Sequence, residues 1–173
     1  VEPKQVVQRA ERIAAGRFRL FSAVDVDLPD PVPWHRNPQN GAEWPTDVHW
    51  CDLDLFTPER GDVKGVWELS RFSWAFDLAR GYLWSANAAY AEVFWRRWES
   101  WLAANPPNLG VHWVSGQECA LRLMAWCFAT FAFLPDPSST NDRLSRMLVA
   151  LHAHGRRIAG FIGHAVRQKT NHA

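Results

Sequence analysis

Eleven tryptophans in 173 residues, spread from Trp34 to Trp126 rather than gathered in one repeat, constrain this chain more than any other feature. Each indole carries a broad apolar surface and one N–H, so the chain must build either a heavily packed core or a stacking surface of the kind that lines a sugar cleft. The length suits one domain with a real core. Nineteen basic against eighteen acidic residues leave a formal charge of +1, without the strong positive field of a nucleic-acid binder. Sixteen of the basic residues are Arg and three are Lys. Arg grips carboxylate, phosphate and sulfate through a planar fork, so an acidic small molecule or polymer is a compatible partner; a GC-rich genome produces the same bias. No apolar run approaches the length of a membrane span.

Cys51, Cys119 and Cys127 are odd in number and show no CxxC spacing, which points to buried thiols rather than a zinc site or a disulfide framework. The chain starts at Val1, lacks the basic start and apolar core of a signal peptide, and stops abruptly at RQKTNHA. These ends read as those of a piece of a longer protein.

Residues 4–16 place Val6, Val7, Ala10, Ile13 and Ala14 at helical spacing before Gly16, predicting a short amphipathic helix. From Phe18 to Arg60 six prolines and many Asp and Asn predict an irregular segment, and its Trp34, Trp44, Trp50 and Phe56 predict that it packs on the helices. From Asp62 onward the pattern is helical. Val63, Trp67, Ser70, Trp74, Leu78 and Tyr82 predict one long helix, Tyr90 to Leu102 a second, and Leu121 to Phe131 a third. Asn105-Pro106-Pro107 ends the second, and Ser115 with Glu118 three residues later opens the third as a capping box. A last helix carries Leu144, Met147, Leu148, Leu151, Ile158, Phe161 and Ile162. The expected class is all-α, with antiparallel helical hairpins stacked in layers. The organisation reads as 1–60, a helix and packing segment, followed by 61–173, the helical part.

Three polar constellations interrupt these helices. Glu68 and Arg71 stand three apart and can pair; Glu118 can reach back to Ser115 or forward four residues to Arg122. Asn171 and His172 set an uncharged donor beside a group titrating near neutrality, a pairing suited to proton transfer next to a bound anion. Each has an ordinary structural alternative: an ion pair, a cap, a polar turn. Trp113 follows His112 in a loop leading into a helix, where it can stack on a sugar ring or simply pack. Paired carboxylates for glycoside hydrolysis are not evident, and His152 and His154 point to different helix faces, a poor metal pair. There is no GxSxG, HExxH or phosphate-cradling Gly loop.

The order DVKGVWELSRF, AYAEVFWRRWESWLAANPP, GVHWVSGQECALRLMAW and QKTNHA resembles the N-terminal helical region of heparinase II/III-type polysaccharide lyases over about residues 45–173. The resemblance implies part of an incomplete α/α toroid, followed in the family by a C-terminal β-sandwich domain that this chain does not contain. It implies β-elimination at a uronic acid of an acidic polysaccharide, with no cofactor and no catalytic metal. Asn171 falls on the amide that neutralises the uronate carboxylate, and His172 on a neighbour that takes part in proton transfer in some members. The family's tyrosine and further histidines lie beyond Ala173, and Thr170 stands where many members have another Asn. Glu68, Arg71, His112, Trp113, Glu118 and Arg122 are then expected to line or brace the substrate cleft. A periplasmic or secreted location follows from the substrate class. The competing expectation is a non-catalytic glycan-binding helical module; a toroid glycoside hydrolase would need two carboxylates across the cleft. Alone, the 173 residues are expected to be inactive.

Overall fold

The structure is a computed structural model and describes residues 2–168; the expectations for Asn171 and His172 fall outside the described residues. Helix α1 (Pro3–Ala14) starts with proline, whose fixed φ suits a first helical turn, and buries Val6, Ala10 and Ile13 along one face. Gly16, at φ +83°, turns the chain into strand β1 (Arg17–Leu20). This pairs antiparallel with β2 (Val24–Asp27), setting Arg17 opposite Asp27 and Arg19 opposite Asp25. The expected irregular segment therefore begins with a hairpin. Period-two alternation sends Phe18 and Leu20 into the core and leaves Arg17 and Arg19 exposed. The chain then runs irregularly, with short 3-10 turns at Trp50–Asp52 and Pro58–Arg60. It is tied down by buried Trp34 and Trp44, and by Asn37, whose amide donates to the carbonyls of Arg60 and Asp62.

The predicted long helix is two helices, α2 (Lys64–Ser70) and α3 (Ser73–Ser85). Between them Phe72 adopts a left-handed backbone at φ +57°, costing roughly 1–2 kcal/mol for a residue with a Cβ. Packing holds it there. Phe72 is fully buried, stacked on Trp34 at 5.7 Å and set edge-on to Trp126 at 5.5 Å. The Trp74 indole N–H donates back across the break to the Leu69 carbonyl at 3.1 Å.

Helix α4 (Ala89–Ala104) stops at the predicted Asn-Pro-Pro, and a 3-10 turn at Val111–Trp113 leads to α5 (Gly116–Phe133). The Ser115 hydroxyl accepts the Glu118 N–H, as the cap predicts. Helix α6 (Asn141–Gln168) closes the described chain. Helix α3 packs on α1, α4 and α5, and α5 packs on α6, so two helical hairpins, α3/α4 and α5/α6, lie side by side with α1 against them. Gly81 is where α1 meets α3: a Cβ there would run into the Ala10 Cβ and lie 3.1 Å from the Tyr90 ring.

One apolar cluster joins Ala10, Phe18 and Trp34 to Trp95, Trp98, Trp101 and Trp126, so the N-terminal segment shares the helices' core. Eight of the eleven tryptophans are buried, which assigns most of them to packing rather than to an open stacking surface. Helix α5 is central but not enclosed, with Met124 and Phe131 exposed. Of the thiols, Cys119 is buried and Cys127 half-buried, whereas Cys51 is exposed, against expectation.

Candidate functional site

Helix α2 and the start of α5 face each other, and their polar residues form two adjoining groups. The outer group centres on Arg71. Its Nε and Nη2 donate to the two Glu118 oxygens at 2.6 and 2.8 Å, and its Nη1 donates to Glu68. The other Glu68 oxygen accepts the Phe21 N–H at 3.0 Å, fastening the hairpin turn to α2. The expected Glu68–Arg71 pair is present. Glu118, however, serves neither as a reciprocal cap nor as the partner of Arg122; it crosses to Arg71. The two carboxylates, Glu118 first, raise the Arg71 pKa, so the cation is permanent. Three of its five N–H donors are used, and the side chain remains 26% exposed, which leaves donors to meet an anion.

The inner group is sealed. Arg122 is 1% exposed and lies 4.3 Å from the Trp101 ring centroid. It donates to His154 Nε2 at 2.9 Å, to the Ser70 carbonyl at 3.2 Å and to the His112 carbonyl at 2.9 Å. Because His154 Nε2 accepts, its Nδ1 carries the proton and donates to the Ala150 carbonyl at 2.8 Å. Burial, then the Arg122 charge, lowers the His154 pKa to about 3. His112, fully buried, donates from Nε2 to the Trp34 carbonyl at 2.7 Å, and its Nδ1 has no hydrogen-bond partner among the described residues. Burial drives its pKa well below the usual imidazole value. Ser70 links the helices: its hydroxyl accepts the Trp101 indole N–H at 3.1 Å and lies 3.3 Å from His112 Nε2.

Trp113 is 2% exposed, between Trp101 and His154, with ring centroids 6.3 and 4.6 Å away. It packs; it does not present a free face to a sugar. Of the six residues expected to line or brace a cleft, Glu68 and Arg71 are partly open, while His112, Trp113, Glu118 and Arg122 are buried and brace from within. The loop ahead of α5 is secured by Arg157, whose guanidinium caps the Trp113 and Val114 carbonyls and lies 3.8 Å from the Trp50 ring centroid. Ser70, His154 and Arg157 carry this architecture without standing out as site residues in the sequence. The signal available for Arg157 and His154 was their spacing of three on α6, which puts both on its inner face. Among the described residues one donor set suits a metal ion, His49, Cys51 and Asp52; the atoms lie within 4.8 Å of one another and all three residues are exposed.

The family model for the heparinase II/III N-terminus matches residues 18–173. Among solved structures, the heparan sulfate lyase HepC from Pedobacter heparinus is similar, with a TM-score of 0.71 at 18% identity over 91% of this chain. A HepC mutant from the same organism gives a TM-score of 0.70 at the same identity and coverage. The chain spans 22% of the length of either. No match is found among curated protein sequences. The shared fold makes the paired hairpins part of an α/α toroid.

Proposed function

The chain belongs to the heparinase II/III N-terminus family, and from that premise we propose that it is the N-terminal part of a polysaccharide lyase that cleaves a uronic-acid-containing acidic polysaccharide by β-elimination. The observation that carries the reading is the extent of the family match, which runs through Asn171 and His172. In the proposed reaction a donor neutralises the uronate carboxylate, a base removes the proton from the adjacent carbon, and an acid protonates the departing glycosidic oxygen. Asn171 is the proposed donor and His172 a participant in proton transfer; a tyrosine and further histidines would come from a longer parent protein with a β-sandwich domain, acting in the periplasm or outside the cell. Arg71 is the proposed anion contact among the described residues, since it keeps free donors and some exposure. His112, Trp113, Glu118 and Arg122 are positioning residues, holding α2 and α5 at a fixed separation.

The test is ultraviolet detection of unsaturated uronate on incubating the parent protein with a panel of uronic-acid polysaccharides. Product that disappears in Asn171→Ala, with folding retained, is the expected result. Full activity in that variant overturns the assignment, and binding without product across the panel replaces it with a glycan-binding module.

A further inference from the structure

The N-terminal layer collects four guanidiniums in one place. Arg9 and Arg12 lie three residues apart on α1 and so share a helix face; Arg17 and Arg19 lie two apart on β1 and so share a face of the hairpin. The two elements meet along a groove of about 550 Å3 lined by all four, with Phe18 and Trp74 in its wall. Four carboxylates stand near them, Asp25, Asp27, Asp77 and Glu68. Asp25 accepts from Arg12 at 2.9 Å and from Arg19 at 3.0 and 3.2 Å, Asp77 stands 3.9 Å from Arg9, beyond hydrogen-bond reach, and Glu68 is already held by Arg71. Asp27 stands opposite Arg17 across the hairpin, but the two make no ion pair within 4.0 Å among the described residues. Among the residues lining the groove four guanidiniums face the two carboxylates of Glu68 and Asp77, and Arg9 and Arg17 are the two cations with no hydrogen-bonded carboxylate among the described residues.

We infer that this groove binds the sulfate or carboxylate groups of an acidic saccharide chain. The choice of a saccharide rests on the lyase reading above; the convergence of the four cations does not. Arg12 and Arg19 are pre-set in geometry by Asp25, while Arg9 and Arg17 are the arms free to close on an incoming anion. All four remain well hydrated, so the interaction is salt-sensitive and contributes affinity through several weak contacts rather than one strong one. Asp25 competes with the ligand for the two guanidiniums it holds.

That competition gives a test with two directions. Equilibrium binding of heparan sulfate is measured on the parent protein in the Asn171→Ala background, where the polymer is not consumed. Arg9→Ala with Arg17→Ala weakens binding by roughly five- to tenfold and flattens its dependence on salt. Asp25→Asn, at an exposed position, tightens it. A merely structural role for the cluster would make all these variants weaken binding together; that result, unchanged affinity in the double Arg variant, or no binding at all, overturns the inference. Groove-dependent binding by a parent protein that forms no unsaturated product leaves the groove standing and removes the lyase reading, whereas normal product with groove variants that bind unchanged does the reverse.

Discussion

Arg71, at the C-terminal cap of α2, and Arg122, on α5, accommodate a guanidinium in opposite ways. Arg71 sits at the edge of the protein with two carboxylates, which hold its charge more firmly than water does. Arg122 is enclosed with no carboxylate hydrogen-bonded to it among the described residues; two carbonyls, one neutral imidazole, the Cys119 sulfur and the indoles of Trp101 and Trp126 surround it, and burial lowers its pKa. The first arrangement stays partly open to solvent. The second ties Ser70 on α2, His112 in the loop and His154 on α6 to one point of α5. Glu118 belongs by spacing to Arg122 and by contact to Arg71, and that exchange separates a partly exposed cation from an enclosed one.

The most damaging way to probe the contrast is Arg122→Ala. It orphans the Ser70 and His112 carbonyls and His154 Nε2 and leaves a cavity among tryptophans, for an expected loss of roughly 3–5 kcal/mol in urea unfolding. A loss below about 1 kcal/mol would show that the enclosed cation does not hold the helices together.

Acid attacks the same region. His154 and His112 are neutral in the fold, but in the unfolded chain each takes up a proton near pH 6.5. Between that pH and about 3, where folded His154 itself titrates, the unfolded state binds more protons, so stability is full above about 6.5 and declines as the pH falls. Denaturant midpoints from pH 7 down to about 4.5, above most carboxylate pKa values, should fall steadily; a flat profile would contradict the neutral, buried assignment.

The smallest expected effects are at the outer pair. Glu118→Gln should cost about 1–2 kcal/mol and Glu68→Gln less than about 1, because Glu118 is more buried and accepts two donors from Arg71. Double-mutant cycles with Arg71→Met separate the two couplings, and equal values would dissolve the distinction between a braced and an open partner.

Legibility from sequence followed how local each determinant was. The stop at Asn105-Pro106-Pro107 and the Ser115 cap are written in a few local residues and lie where expected. The break at Phe72 is not, because the apolar stripe from Val63 to Tyr82 runs straight through it and only the aromatic packing around Phe72 compels the left-handed turn. The hairpin had a local sign, the alternation in RFRL and VDVD, masked by the prolines that follow. Among the candidate residues, spacing along one helix found Glu68 with Arg71. It could not find Glu118 with Arg71, which are 47 residues apart, or tell that Arg122 would be enclosed.

The missing side chain at Gly81 also acts as a ruler for charge. Because α1 rests on α3 where the bare backbone of Gly81 meets the Ala10 methyl, the closeness of the two helices at that point depends on the absent side chain. Arg9 lies one residue from that contact and Arg12 two, so a single methyl added at Gly81 would lift both guanidiniums while Arg17 and Arg19 remained anchored through Phe18 and Leu20. An uncharged position on a different helix thereby bears on the aperture between cations, and a change there would alter the proposed polyanion groove without altering one formal charge.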